Sequence, residues 1–124
     1  MTKYLTVADV LAIHQDQIDW YGGAGGVRDY GLLEAAVFRP QSGYYADLVE
    51  ESAALWESLS QNHPFFDGNK RTAFDAMQTF LTVNGLHLKV DVHEACDFVL
   101  DLYATHQFQF DNLVPWLREN VAPH

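Results

Sequence analysis

The chain has 124 residues, 48% of them hydrophobic, and is therefore long and apolar enough to fold as a single domain over residues 1–124. Its net charge of −10 argues against nucleic acid or an anionic membrane as a direct partner, because these polyanions would be repelled. Cys96 is the only cysteine, the N-terminus lacks a signal-peptide core and no apolar run could span a bilayer, so we expect a soluble, cytoplasmic protein.

Taken in chain order, the periodicity of apolar residues predicts an all-α fold of about six helices. The predicted helices cover residues 6–20, 29–39, 47–62, 69–84, 91–105 and 111–121. Thr6 and Asp9 resemble a capping box at the start of the first helix, and Pro40 ends the second. Pro115 falls in the first or second turn of the last helix and leaves its boundary open.

Two segments between these helices are predicted to be non-helical. Residues 22–26 read Gly-Gly-Ala-Gly-Gly and lack the lysine of a nucleotide-binding loop, so we interpret them as a flexible connector. Residues 86–90 follow Gly85, which suits a left-handed helix end, and are predicted to be briefly extended.

The segment from His63 to Arg71 reads His-Pro-Phe-Phe-Asp-Gly-Asn-Lys-Arg and lies where a loop is predicted to enter the fourth helix. Gly68 permits a sharp turn, and the helix start that follows offers free N–H groups and a positive dipole end. Lys70 and Arg71 fall in the first turn, where the dipole disfavours cations. A bound anion would resolve that conflict, so this junction is predicted to be an anion site.

The residue types in this motif suit phosphate chemistry. His63 is the candidate general base, and Asp67 is the candidate ligand for Mg²⁺. Arg71 can bind phosphate through two N–H groups, and Lys70 can act as a mobile positive charge. Asn69 can fix the loop or donate to a phosphate oxygen. Together these groups would position a phosphate and neutralise its charge, which is what phosphoryl transfer requires.

The motif resembles that of the Fic/Doc family, whose pattern is H-x-F-x-D/E-G-N-G-R. The match fails only at Lys70, a lysine that is typical of the Doc branch, the toxins of toxin–antitoxin pairs. Further similar stretches are Tyr21-Gly22-Gly23, residues 31–36, Arg39-Pro40-Gln41, Thr72-Ala73, Phe80-Leu81 and Asn84-Gly85. The resemblance implies a compact Fic-fold helical domain, with the motif at a loop-to-helix junction.

The resemblance also implies an activity. A Doc-like protein transfers a phosphate from ATP to a hydroxyl of a protein, a threonine of elongation factor Tu, and so arrests translation. The residues implied in catalysis are His63, Asp67, Asn69, Lys70 and Arg71; those implied in binding ATP are Gly68, Asn69, Lys70 and Arg71, with Asp67 holding Mg²⁺. AMP-transferring relatives have glycine in place of Lys70 and an arginine in place of Phe74, so this chain favours phosphate transfer.

A toxin of this kind needs an inhibitor. Many relatives carry an inhibitory helix of pattern S/T-x-x-x-E-G/N, but here the only Glu followed by Gly or Asn is Glu119, and Pro115 stands four residues before it. We therefore expect a cognate antitoxin, a Phd-like and partly disordered protein that folds onto this chain.

Three alternatives remain open from the sequence: AMP transfer by the same fold, metal-dependent hydrolysis with His63 and Asp67 as ligands, and a catalytically inert binding subunit. The last would be favoured if no transfer to any protein occurred. The histidines outside the motif are interpreted as structural or exposed, although His14 lies on the apolar face of the first helix.

Overall fold

The computed structural model describes residues 1–124 and confirms the all-α prediction with six α-helices. They are α1 (Val7–Tyr21), α2 (Tyr30–Phe38), α3 (Leu48–Gln61), α4 (Asn69–Val83), α5 (Val92–Ala104) and α6 (Phe110–Asn120). A 3₁₀ turn, Arg39–Ser42, follows α2, and two short strands, β1 (Leu86–Leu88) and β2 (Val121–Pro123), complete the chain. No helix combines the length and the apolarity that crossing a bilayer requires.

Polar side chains fix where most of these helices begin. Thr6 accepts from the N–H of Asp9, and the Asp9 carboxylate accepts from the N–H of Thr6, so the predicted capping box is present. Single aspartates cap α2, α3 and α5, each accepting from one N–H of the first turn. These local caps explain why sequence patterns located the helix starts to within one or two residues.

The core is one cluster built around α3. Trp56 of α3 is fully buried and packs its ring against Phe74, Phe108 and Trp116. The helix α4 lies along α3, α6 packs on another side of it, and α1 lies against α4. This packing fixes the end of α3 and the start of α4 relative to each other, and the motif lies between them.

The end of the chain differs from the prediction. The last helix ends at Asn120, because Val121 turns to an extended conformation and starts β2. This strand pairs antiparallel with β1, in the register Leu86 to Pro123. Extended structure was predicted for β1 but not for its partner, since a three-residue strand has too little sequence to show a pattern. Pro115 lies inside α6.

Candidate active site

The motif lies at the predicted loop-to-helix junction, between the end of α3 and the start of α4. Gly68 adopts a left-handed conformation, φ 74° and ψ 15°, and leads directly into Asn69. No side chain caps α4, whereas α1, α2, α3 and α5 each have a side-chain cap. The first N–H groups of α4 and its positive dipole end therefore remain open to an anion.

Asn69 ties the motif loop back on itself. Its Oδ1 accepts from the N–H of Phe65 at 2.9 Å, and its Nδ2 donates to the carbonyl of Phe65 at 3.0 Å. The Phe65 ring is only 1% exposed and anchors the loop in the core. The structure places Asn69 in the first of its two predicted uses, that of fixing the loop.

His14 of α1 contacts the same loop at Phe65 and Asp67. Its ring stacks on Phe65 with centroids 3.7 Å apart and planes 5° apart. Its Nε2 lies 2.8 Å from the carbonyl oxygen of Asp67, and since a carbonyl can only accept, this nitrogen carries the proton. His14 therefore positions the motif loop, a role that the sequence did not reveal; its place on the apolar face of α1 was the only signal.

His63 has an unusual backbone at the start of the motif. Its φ is 49°, in a region that residues other than glycine rarely occupy and that stores strain. Arg28 holds this conformation: its Nε donates to the carbonyl of His63 at 2.7 Å, and its Nη2 donates to that of Asn62 at 3.0 Å. The sequence carries no local signal for this contact, because Arg28 lies 35 residues before His63.

The His63 side chain is exposed and lines an open cleft of about 470 Å³. Lys70, Tyr103 and His106 line the same cleft. Burial raises the pKa of Tyr103 to about 12, although the hydrogen bond with Ser60 acts in the opposite direction. The cleft thus brings the candidate base beside one of the two motif cations.

Arg39 and Glu57 form another part of the cleft wall as an ion pair, 2.7 Å between Nη1 and Oε1. Burial opposes protonation of Arg39, but hydrogen bonds to Glu57 and Tyr45 outweigh it and raise the pKa of Arg39 above its usual value. The second oxygen of Glu57 accepts from the N–H of Phe110 at 2.7 Å and so caps α6. The positive charge of Arg39 is therefore neutralised by Glu57 and serves the fold instead of a ligand.

Asp67 lies on the other side of the motif, against the glycine-rich loop. Its Oδ1 accepts from the N–H of Gly68 at 2.8 Å, and its Oδ2 accepts from that of Ala24 at 3.3 Å. A Cβ on Gly23 would stand 2.5 Å from Oδ2 at a strained φ of 115°, so a larger residue would displace the Asp67 carboxylate. The interpretation of residues 22–26 as a mere connector was incomplete, because this loop forms the wall beside Asp67.

Lys70 and Arg71 point in different directions, as neighbours on a helix must. The Nζ of Lys70 lies over the Tyr103 ring, 4.2 Å from its centroid. Arg71 lies over the Tyr21 ring at 5.3 Å and donates through Nη2 to the carbonyl of Gly22 at 3.2 Å. The two cations therefore flank the start of α4 from opposite sides.

Neither of these cations is neutralised by a carboxylate. The three ion pairs of the chain involve only Arg39 and Arg118, although the chain holds 17 acidic residues. Two unpaired positive charges thus stand at the positive end of a helix dipole, where each is electrostatically unfavourable without an anion. This arrangement fits a phosphate group.

The site also fits a magnesium ion, provided that the phosphates supply ligands. Asp67 is exposed, and each of its oxygens accepts only one hydrogen bond, which leaves lone pairs for a hard cation. No cluster of three or more ligating side chains exists in the chain. Magnesium is commonly held by one or two carboxylates with phosphate and water, so a single aspartate suffices.

Known proteins resemble this chain over most of its length. The model of the Fic/DOC family matches residues 4–81, which include the whole motif, His14 and Arg28. The "Toxin Doc" of Mycolicibacterium smegmatis is 41% identical over 119 residues, covering 91% of this chain and 89% of that protein. The "Protein kinase doc" of Escherichia phage P1 is 31% identical over 120 residues, covering 94% of each chain.

Proposed function

Because this chain belongs to the Fic/DOC family, we propose that it is a Doc-type toxin that transfers the γ-phosphate of ATP to a protein hydroxyl. The observation that carries this proposal is the exposed His63 beside an uncapped helix start flanked by two unpaired cations. The names of the two relatives, a toxin and a protein kinase, support the toxic effect and the type of transfer.

In the proposed reaction, His63 takes the proton of the attacking hydroxyl while its oxygen forms a bond to the γ-phosphorus. The bond between that phosphorus and the β–γ bridging oxygen breaks, and ADP leaves with the electron pair. The imidazolium of His63 then releases its proton to solvent. The products are a phosphorylated protein and ADP.

The other motif residues bind and orient the phosphates. The N–H groups that begin α4 and the side chains of Lys70 and Arg71 would hold the phosphate oxygens. Asp67 would hold a magnesium ion, which supplies positive charge to neutralise the phosphate oxygens. Asn69, His14 and Arg28 keep the loop in shape without needing to contact the nucleotide.

The proposal extends to the target and the partner. The family resemblance gives a threonine of elongation factor Tu as the acceptor, so the proposed consequence is an arrest of translation in the cytoplasm. A separate antitoxin, Phd-like and partly disordered, is the proposed inhibitor.

Labelled ATP distinguishes phosphate transfer from AMP transfer. We would incubate the protein, Mg²⁺ and elongation factor Tu with ATP labelled at either the α or the γ position. Label from the γ position alone should appear on the factor. Label from the α position would instead assign AMP transfer, and no label on the factor or on any protein of a bacterial extract would favour an inert binding subunit.

A further inference from the structure

Lys70 has no ion-pair partner, yet its side chain has a defined place. Its Nζ lies over the ring of Tyr103 in α5, 4.2 Å from the ring centroid. No carboxylate lies within ion-pair distance of it. The aromatic ring is therefore the group that fixes where this ammonium points.

Tyr103 is itself held firmly. Its ring stacks on Phe108 with centroids 4.5 Å apart and planes 9° apart, and Phe108 is only 3% exposed. Its hydroxyl makes a hydrogen bond with Ser60 of α3. Because burial raises its pKa to about 12, the ring stays a neutral phenol throughout the physiological range. The platform under Lys70 is thus rigid and uncharged.

An aromatic face attracts a cation without neutralising it. A carboxylate partner would occupy the N–H donors of the ammonium, whereas a ring beneath leaves them free for phosphate oxygens. Arg39 on the cleft wall shows the contrast, because it is paired with Glu57. The Tyr21 ring under Arg71 is a looser platform, since Tyr21 is 68% exposed.

We infer that Tyr103 is a positioning residue, which holds the Lys70 ammonium at the cleft beside His63 and so strengthens the binding of ATP phosphates there. This inference rests on the proposed function. Tyr103 lies outside residues 4–81, the range that matches the family model. Its role follows from the contact with Lys70.

The contact between Lys70 and Tyr103 can be tested without measuring ATP binding or phosphate transfer. The chain has three lysines, Lys3, Lys70 and Lys89, so an NMR spectrum of protein labelled in lysine resolves them readily. The ε-methylene protons of Lys70 should be shifted upfield by the ring current of Tyr103. Tyr103→Leu should remove this shift and Tyr103→Phe should retain it, while the signals of Lys3 and Lys89 stay in place.

The effect on binding can be measured with Mg·ATP by calorimetry. Tyr103→Leu should weaken ATP binding about two- to fivefold, the range expected for an exposed cation–π contact, and Tyr103→Phe should restore most of the loss. In a Lys70→Met background, Tyr103→Leu should cause no further loss, because the two residues act through one contact. Phe98→Leu, which removes another aromatic ring from α5 without touching Lys70, is the matched control.

The outcomes separate the two proposals. A parent spectrum without the upfield Lys70 signal, or equal ATP affinity in the parent and Tyr103→Leu, overturns the role of Tyr103. An equal loss in Phe98→Leu also overturns it, because the effect would then be one of general packing. ATP binding that depends on Tyr103, without transfer of phosphate to any protein, overturns the proposed kinase activity and leaves the positioning role standing.

Discussion

At the scale of single residues, the candidate base combines exposure with a strained backbone. His63 occupies a positive φ of 49°, and Arg28 clamps the two neighbouring carbonyls. Such strain persists only where surrounding contacts enforce it, and it concentrates at functional sites. The clamp therefore fixes the backbone from which the imidazole reaches the cleft.

Replacing His63 with Ala should lower phosphate transfer about 10²-fold or more, because the only other group of the motif able to take the proton, Asp67, is assigned to the magnesium ion. His106→Ala is the matched control, since His106 lines the same cleft and also has a positive φ, 57°. Transfer rates and circular dichroism of both variants provide the measurement. Near-normal turnover of His63→Ala, or an equal loss in both variants, would contradict the assignment.

Lys70 is the residue expected to select phosphate over AMP. Its side chain lines the cleft, whereas AMP-transferring relatives have glycine at this position. Lys70→Gly should therefore weaken γ-phosphate transfer and open space for ATP to bind with its α-phosphate at the acceptor. Parallel assays with α- and γ-labelled ATP measure both reactions. If Lys70→Gly phosphorylates the target as fast as the parent does, this lysine does not determine the reaction.

At the scale of elements, the glycine-rich loop is part of the site. Its residues contact Asp67 and Arg71 through main-chain groups, and an antiparallel β-bridge joins Val27 to Phe65. The absence of a side chain at Gly23 is what lets the Asp67 carboxylate lie against the loop. The loop thereby fixes the orientation of the candidate magnesium ligand.

Gly23→Ala should therefore disturb the site more than the fold. The new Cβ would lie 2.5 Å from Asp67 Oδ2, and the backbone φ of 115° adds strain. We expect about a tenfold loss of transfer from the displaced carboxylate, with about 1 kcal/mol of lost stability. Gly43→Ala is the control, since its φ is 81° and its Cβ would meet nothing. Equal transfer by both variants would refute the role of the loop.

The helices could be predicted from the sequence because their signals are local. The caps at Thr6, Asp29, Asp47 and Asp91 act within three residues, and the apolar period repeats within each helix. The motif was found for the same reason, since nine adjacent residues carry it.

The supporting contacts of the site could not be predicted, because they join distant parts of the chain. His14 binds Asp67 across 53 residues, and Arg28 binds His63 across 35. The glycine-rich loop reaches Asp67 across 43. No local period or spacing encodes such pairs, so a lone histidine and a lone arginine looked ordinary in the sequence.

At the scale of the whole molecule, Arg118 joins the end of α6 to the start of α3. Its guanidinium donates to Asp47 at 2.8 Å and to Glu50 at 3.2 Å. Burial of Asp47 opposes its ionisation, but the hydrogen bond from Arg118 and that from the N–H of Glu50 outweigh it and hold the pKa of Asp47 below its usual 3.8. The pair therefore contributes stability above the unfolded pKa, and this stability is lost as the pH falls through the lower folded value.

Arg118→Gln should lower the stability at pH 7 by only about 0.5 kcal/mol, because the paired side chains are nearly half exposed and screened by solvent. The difference from the parent should vanish once acid protonates Asp47. Urea unfolding from pH 7 down to the acid limit measures it. Lys89→Gln removes one positive charge that has no ion pair, and a matching loss in that variant would show that net charge alone is responsible.

The position of α6 in the fold decides whether the chain could inhibit its own active site. The only sequence near the inhibitory pattern, residues 115–120, belongs to α6, whose Leu113 and Leu117 are fully buried in the core. That helix is held by the fold and by Arg118, so it is not free to cover the motif. A complete motif without an inhibitor in the chain is the reason to expect a separate antitoxin.

Expression of this chain alone in a bacterial host should arrest growth, and co-expression of a small antitoxin from the neighbouring reading frame should relieve the arrest. His63→Ala should allow normal growth while it still binds the antitoxin, because the base is not needed for binding. Normal growth with abundant soluble parent protein would contradict the toxin assignment and favour an inert binding subunit.

The net charge of −10 favours basic residues on an amphipathic antitoxin segment, so the rate at which the two proteins associate should fall as the salt concentration rises. An association rate insensitive to salt would instead show that apolar contacts alone bring the two chains together.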